Sequence, residues 1–260
     1  PYPTRYTQMA ALATAFEWGR IKGQASVLGY FVHEKVKRFE ARPDKAIATP
    51  AFFLSYKPFH RQDLSVRAFY KRMFRMPTFN DLYYTDMGNA FLKPEYAEQF
   101  NIGLKYTKNF MNMPALRTVD ASVDAYYNHI TDKIIAYPKG QQFRWTMLNL
   151  GEVDIKGVDI ALNSAWAFGE VEATARLQYT YQEAIDVTDS ADTYYRDQIP
   201  YIPWHSGSAV LSLFYKGWGL NYSFIYTGER YNKQENIPRN HTQPWYTSDL
   251  SVQKSFAIRT

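Results

Sequence analysis

Apolar and polar residues alternate along most of this chain with a period of two. The clearest stretch places Val171, Ala173, Ala175, Leu177, Tyr179 and Tyr181 on one parity and Glu172, Thr174, Arg176, Gln178, Thr180 and Gln182 on the other. Successive side chains of a strand point to opposite faces, so this segment has one oily face and one wet face. It is about a dozen residues long, roughly twice the usual strand of a soluble sheet.

The same pattern with intervening turn signals predicts about eleven strands. They cover about Arg5 to Phe16, Ile21 to His33, Thr49 to Lys57 and Asp63 to Met73. A fifth carries Phe100, Ile102, Leu104 and Tyr106 on one face, and a sixth carries Val119, Ala121, Val123, Ala125 and Tyr127. A seventh groups Val158, Ile160, Leu162 and Trp166, and an eighth follows the Phe168-Gly169 turn. The ninth runs from about Trp204 to Lys216, the tenth from about Trp218 to Glu229, and the eleventh ends near Phe256. Each tight turn is followed by a long connection, the first of them charged and including Glu34, Lys35, Lys37, Arg38, Glu40, Arg42 and Asp44. The others span about Arg75 to Glu95, Thr131 to Leu150, Asp186 to Asp197 and Glu229 to Trp245.

Short turns at one end and long loops at the other are the plan of a transmembrane antiparallel β-barrel in a bacterial outer membrane. Closure would also remove the edges that such long strands expose. In the sixth strand the second parity reads Asp120, Ser122, Asp124, Tyr126 and Asn128. A carboxylate facing lipid is costly, so the oily parity is expected to meet hydrocarbon and the polar parity a wet interior. Tyr6, Tyr30, Tyr56, Tyr70, Tyr106, Tyr127, Tyr179, Tyr215 and Tyr226 are candidates for interfacial girdles or barrel wall.

Composition adds limits. The 260 residues include 22 Tyr, 17 Phe and 6 Trp, and no cysteine, so disulfides and thiolate metal sites are excluded. Mean hydropathy is −0.45, and no run reaches the ~18 apolar residues of a membrane helix. The net charge of +5 is scattered, without the compact basic stripe of a nucleic-acid binder. The five His are dispersed, and neither an H-E-x-x-H nor a G-x-S-x-G nor a P-loop is present, so no enzyme, resident metal or cofactor is expected. Asp186, Asp189 and Asp192 are read as a solvated acidic loop rather than a Ca²⁺ site. The ends at Pro1 and Thr260 look cut, and residues 1–260 read as a fragment.

One segment carries more than periodicity. Phe74-Arg75-Met76-Pro77-Thr78-Phe79-Asn80-Asp81-Leu82-Tyr83 resembles the F-R-x-P-[ST]-x-x-[ED]-L-[YF] signature of TonB-dependent outer-membrane receptors. Gly88-Asn89-Ala90-Phe91-Leu92-Lys93-Pro94-Glu95 is similar to that family's G-N-x-x-L-K-P-E. Glu98-Gln99-Phe100-Asn101-Ile102-Gly103 resembles its E-x-[YF]-E-x-G strand with Asn101 in place of Glu, and Asn149 to Asp159, through Gly157, resembles its N-x-G…G-[VLF]-E run with Asp159 in place of Glu. Arg75, Pro77, Gly88, Asn89, Pro94, Glu95 and Gly157 are read as structural. The resemblance implies part of a 22-stranded barrel, all-β, with the plug and its TonB-contacting box absent from these residues. It implies an outer-membrane receptor for TonB-energised uptake of an iron chelate, haem or cobalamin. A passive porin or adhesin barrel is the alternative. Expected partners are outer-membrane lipid, TonB through the plug, and a small nutrient, but no nucleic acid.

Loops carry binding more often than wall does, and anionic or flat ligands favour basic and aromatic residues. On that ground Arg144, Trp145, Tyr194, Tyr195, Arg196, Arg230, Tyr231, Arg239, His241 and Trp245 are the candidate ligand contacts, with Tyr83 and Tyr84 behind them.

Overall fold

The computed structural model describes residues 2–37, 42–84, 87–111, 113–138, 145–149 and 151–256. The strands are β1 (Pro3–Trp18), β2 (Ile21–Val36), β3 (Lys45–Tyr56), β4 (Asp63–Arg75), β5 (Glu95–Asn109) and β6 (Leu116–Thr131). They continue with β7 (Ile134–Pro138), β8 (Trp145–Asn149), β9 (Glu152–Phe168), β10 (Val171–Asp186), β11 (His205–Tyr215) and β12 (Trp218–Thr227). The last are β13 (Arg230–Tyr231), β14 (His241–Thr242) and β15 (Trp245–Lys254), and a short helix α1 covers Phe79–Tyr83.

Eleven of these strands form one antiparallel sheet in the order β1-β2-β3-β4-β5-β6-β9-β10-β11-β12-β15. The eleven expected strands are therefore present and neighbour one another in chain order. The turns at 19–20, 57–62, 110–115, 169–170 and 216–217 lie at one end of the sheet. The connections 37–44, 76–94, 132–151, 187–204 and 228–244 lie at the other. The first of these is shorter than expected, because β2 runs on through Glu34 and Lys35 and pairs them with Arg5 and Thr4. Lys216 (φ 45) and Gly217 (φ 78) both take positive φ, as a type I′ hairpin turn requires. β7–β8 and β13–β14 are small hairpins inside long connections, and the periodicity did not reveal them.

The register carries each face across the sheet. On the apolar face Ala121, Leu162, Leu177, Ala209 and Phe224 lie in one row, and Val123, Ile160, Tyr179 and Gly207 in the next. Leu177 is 41% exposed although it lies in the middle of the sheet, so this face has no protein cover. On the polar face Arg67, Gly103, Asp124, Asp159 and Thr180 share a row. Arg67 reaches over β5 to Asp124 at 3.1 Å. Gly103 makes that possible, because a Cβ there would collide with the Asp124 Oδ1.

Aromatic rows mark two levels of the apolar face. Phe52, Tyr70, Phe100 and Tyr127 stack across four strands at centroid separations of 6.3, 4.9 and 6.3 Å. At the turn end Trp166 and Phe168 stack at 6.0 Å, and Tyr215 pairs with Trp218. Tyr30 departs from the expected girdle set. It stands on the polar parity with Gln24 and Ser26, and meets the Phe74 ring at 4.7 Å.

Above the Tyr127 level the alternation inverts. On β9, Val153 and Ile155 turn to the inner, polar-side parity and are buried, while Asp154 and Lys156 take the outer one. Ile130, Val153, Ile155, Ala184 and Ile199 form a core there, covered by the loops.

Candidate functional site

The long connections do not hang free. They fold back over the inner face at one end of the sheet and lock onto one another.

Thr78 caps α1, accepting the Asp81 N–H at 3.1 Å, while Asp81 accepts the Thr78 N–H at 2.8 Å. This capping box fixes the entry angle of the helix. Leu82, Leu92 and Ile134 then pack into a second buried core with Phe79, Tyr83 and Met147 around it. Pro77 is fully buried, and its carbonyl accepts from Arg5 at 2.6 Å. Gly88 has no room for a side chain, since a Cβ would lie 2.6 Å from the Tyr84 N.

The motif residues meet in space. Arg75 donates to Glu95 at 3.2 Å and to the Ile134 carbonyl at 3.1 Å, and Glu95 accepts the Ile134 N–H at 3.0 Å. Asn89 donates to the Met147 carbonyl at 3.1 Å. Asn149 accepts the Lys93 N–H at 3.0 Å and donates to the carbonyls of Lys93 and Asp132. These bonds seat the β7–β8 hairpin on the segment after α1. Gly157 lies under the Tyr126 ring, where a Cβ would collide with the phenol oxygen.

Beside this brace is a buried charge cluster. Glu34 is 4% exposed and accepts from Arg5 Nε at 2.6 Å, and the Arg5 guanidinium lies 5.0 Å from the Phe79 ring centroid. Arg42 donates to the Leu92 carbonyl. Burial pushes the Arg42 pKa down against the opposing pull of Glu34, and burial followed by Glu34 pushes the Tyr83 phenol up.

The 187–204 and 228–244 loops are coupled by a reciprocal pair. The Gln198 N–H donates to Asn236 Oδ1 at 2.8 Å, and Asn236 Nδ2 donates to the Gln198 carbonyl at 3.0 Å. Gln198 is 1% exposed and also holds the β10 backbone through the Ala184 N–H at 2.8 Å. Asp186 turns inward to accept from the Thr188 N–H, and Asp189 accepts from the Ala191 N–H. Among the described residues no group of three metal-ligating side chains is assembled.

The expected ligand residues fall into separate groups. Arg144 lies outside the described residues. Trp145 opens β8 and is exposed. Tyr194, Tyr195 and Arg196 lie on the 187–204 loop, with Arg196 at φ 67. Tyr231 is packed edge-on against Trp204 and His241 at 5.7 and 5.9 Å. His241 Nε2 is 3.1 Å from the Glu229 carboxylate, and Arg230 donates to the Gly228 carbonyl. Arg239 is exposed on a short 3₁₀ turn, and Trp245 pairs with Thr227 where β15 begins. Tyr84 is exposed, while Tyr83 packs on the second core. The structure thus joins Tyr231 to His241 and places Arg230 beside them in the β13–β14 hairpin. It adds Gln198, Asn236, Glu34 and Lys133, which isolated polar letters in loops did not mark.

A family model described as TonB dependent receptor-like, beta-barrel matches residues 16–259. The chain belongs to the TonB-dependent receptor family. Its members are bacterial outer-membrane β-barrel proteins, receptors and transporters rather than enzymes. The receptor chain is 29% identical over 173 residues to the vitamin B12 transporter BtuB of Photobacterium profundum, covering 64% of this chain and 25% of that protein. It is 36% identical over 87 residues to BtuB of Vibrio vulnificus, covering 34% and 13%. Among solved structures, the unliganded ferric citrate transporter FecA superposes with a TM-score of 0.71 at 10% identity, over 99% of this chain and 38% of that one. The FrpB iron transporter of Neisseria meningitidis (F3-3 variant) superposes at 0.64 and 14%, over 97% and 39%. The receptor chain therefore spans about a quarter or less of the curated relatives it matches.

Proposed function

We propose that this chain is part of the barrel wall and outer loops of a receptor that takes up a scarce nutrient (an iron chelate, haem or cobalamin) with energy delivered through TonB. Residues 1–260 supply wall and loops, and a plug outside them supplies the contact with TonB. The carrying observation is the one-ended build of the sheet. Four long connections are cross-braced in pairs at one rim and Arg42 of the fifth reaches the Leu92 carbonyl, while the other rim has only short turns. A rigid collar of basic and aromatic loops suits capture of a dilute ligand.

Hydrocarbon lies against the apolar face. From Val171 to Tyr181 a strand rises about 33 Å, and a tilt near 40° reduces that to about 25 Å, the height of the apolar band of an outer-membrane barrel. Trp145, Tyr194, Tyr195, Arg196, Arg230, Arg239, His241 and Trp245, with Arg144, are the loop residues placed to meet ligand, and Arg75, Pro77, Gly88, Asn89, Pro94, Glu95 and Gly157 hold the rim.

The test is uptake. The receptor carrying this chain is expressed in bacteria stripped of their own transporters, with TonB present or absent, and supplied with labelled cyanocobalamin, haem or a ferric chelate. Accumulation of one of them only when TonB is present is expected. Entry of all three regardless of TonB would make the protein a passive barrel.

A further inference from the structure

Resting on that receptor reading, we propose that the rim contains a subsite for a single planar ring bearing negative charge, walled by Lys133, Trp145, Tyr201 and Lys233. A cavity of about 130 Å³ opens where the β7–β8 hairpin, the 187–204 loop and the 228–244 loop meet. Its apolar lining, Ile135, Ile199 and Ile202, is continuous with the core around Val153. Its polar lining among the described residues is Lys133, Trp145, Tyr201, Asn232 and Lys233, and none of these is a carboxylate.

Every one of those polar side chains can donate a hydrogen bond, and only Tyr201 and Asn232 can also accept one. None of the four walling side chains makes a hydrogen bond or ion pair with a described residue. Lys133 is the informative one. Burial pushes its pKa down, and the acid that opposes this, Glu95, is already committed to Arg75 and the Ile134 N–H. A partly desolvated ammonium whose one opposing acid is shared with Arg75 is favoured by an anion arriving beside it. Size restricts that anion, since a cavity of ~150 Å³ admits benzene and little more. Indole and phenol rings supply flat walls, and their N–H and O–H join the ammonium groups as donors to the ligand's oxygens. Tyr201 is held at φ 65, a conformation that side chains rarely adopt, by its N–H bond to the Tyr231 carbonyl at 2.8 Å. Strain of this kind is kept where a side chain must be aimed.

Benzoate is the probe and benzyl alcohol its uncharged counterpart, each titrated calorimetrically against the purified receptor in detergent. Benzoate is expected to bind at least tenfold more tightly than benzyl alcohol, and Lys133→Met to remove about tenfold of benzoate affinity while leaving benzyl alcohol unchanged. Exposed Lys233→Met, which cannot disturb folding, is expected to weaken benzoate about threefold, and Lys57→Met at the turn end to change nothing. Equal binding of the two probes, no binding of benzoate, or unaltered benzoate affinity in both rim variants would overturn the subsite. TonB-dependent uptake of a nutrient alongside such a result would leave the receptor reading standing. Benzoate binding without TonB-dependent uptake would do the reverse.

Discussion

The lower and upper spans of β9 and β10 obey opposite rules. Below Gly157 the outward parity is apolar, with Val158, Ile160 and Leu162 beside Tyr181, Tyr179 and Leu177. Above it the outward parity is Asp154 and Lys156, with Glu183 opposite Lys156, and the apolar residues Val153, Ile155 and Ala184 have moved inside. Strand geometry is the same in both spans, so the difference reports the surroundings. The proposed function puts hydrocarbon outside the lower span and a wet interior behind it. In the upper span folded loops lie inside, and the same proposal puts water outside. Gly157 sits at the crossover, where Tyr126 leans across it.

Four measurements on the receptor carrying this chain would break or sharpen that contrast, each read as unfolding free energy in detergent or as the assembled fraction. The largest effect is expected at Val153, which is 0% exposed: Val153→Arg buries an unpaired cation and should cost upwards of ~4 kcal/mol, while Lys156→Leu three residues on should cost under ~1 kcal/mol. Next, Leu177→Arg should cost ~2–4 kcal/mol and Arg176→Leu far less, because only Leu177 stands on the parity proposed to face lipid. Equal losses from that pair would remove the facing assignment. Gly157→Ala should cost ~1–3 kcal/mol, since its Cβ would also lie 2.6 Å from the Tyr181 backbone oxygen; adding Tyr126→Ala should recover only part. The smallest global change is expected for Asn149→Ala, about 1–3 kcal/mol felt locally, seen as faster hydrogen exchange in residues 87–94 without loss of the barrel.

Much of this fold was legible in the chain, and unevenly. The turn at Phe168-Gly169 and the alternation around Leu177 are local, and both stand where expected. The charge of Glu34 and Lys35 suggests a solvated loop, whereas β2 carries them to the rim, and Glu34 is buried against Arg5. Residue type groups Tyr30 with the other tyrosines, whereas its parity places it on the polar face. Chemistry alone marks the candidate ligand residues, and it does not say that Tyr231 and His241 pack together while Arg239 is exposed on a short 3₁₀ turn. Gln198 and Asn236 lie on different loops, and no periodicity marks either one.

What the amino-acid order determined by itself was everything with a period of two or a turn of two: the strands, their faces, the sidedness of loops, and through short motifs the family. Those features arise from neighbours along the chain, whose geometry the peptide bond and side-chain alternation settle. Only the tertiary structure decided which loop rests on which, that Arg75 and Glu95 grip Ile134, and that Lys133 lines a rim cavity beside a Glu95 already bonded to Arg75. Such contacts depend on the register summed across several strands, and a bond between distant residues leaves no trace in the spacing of either.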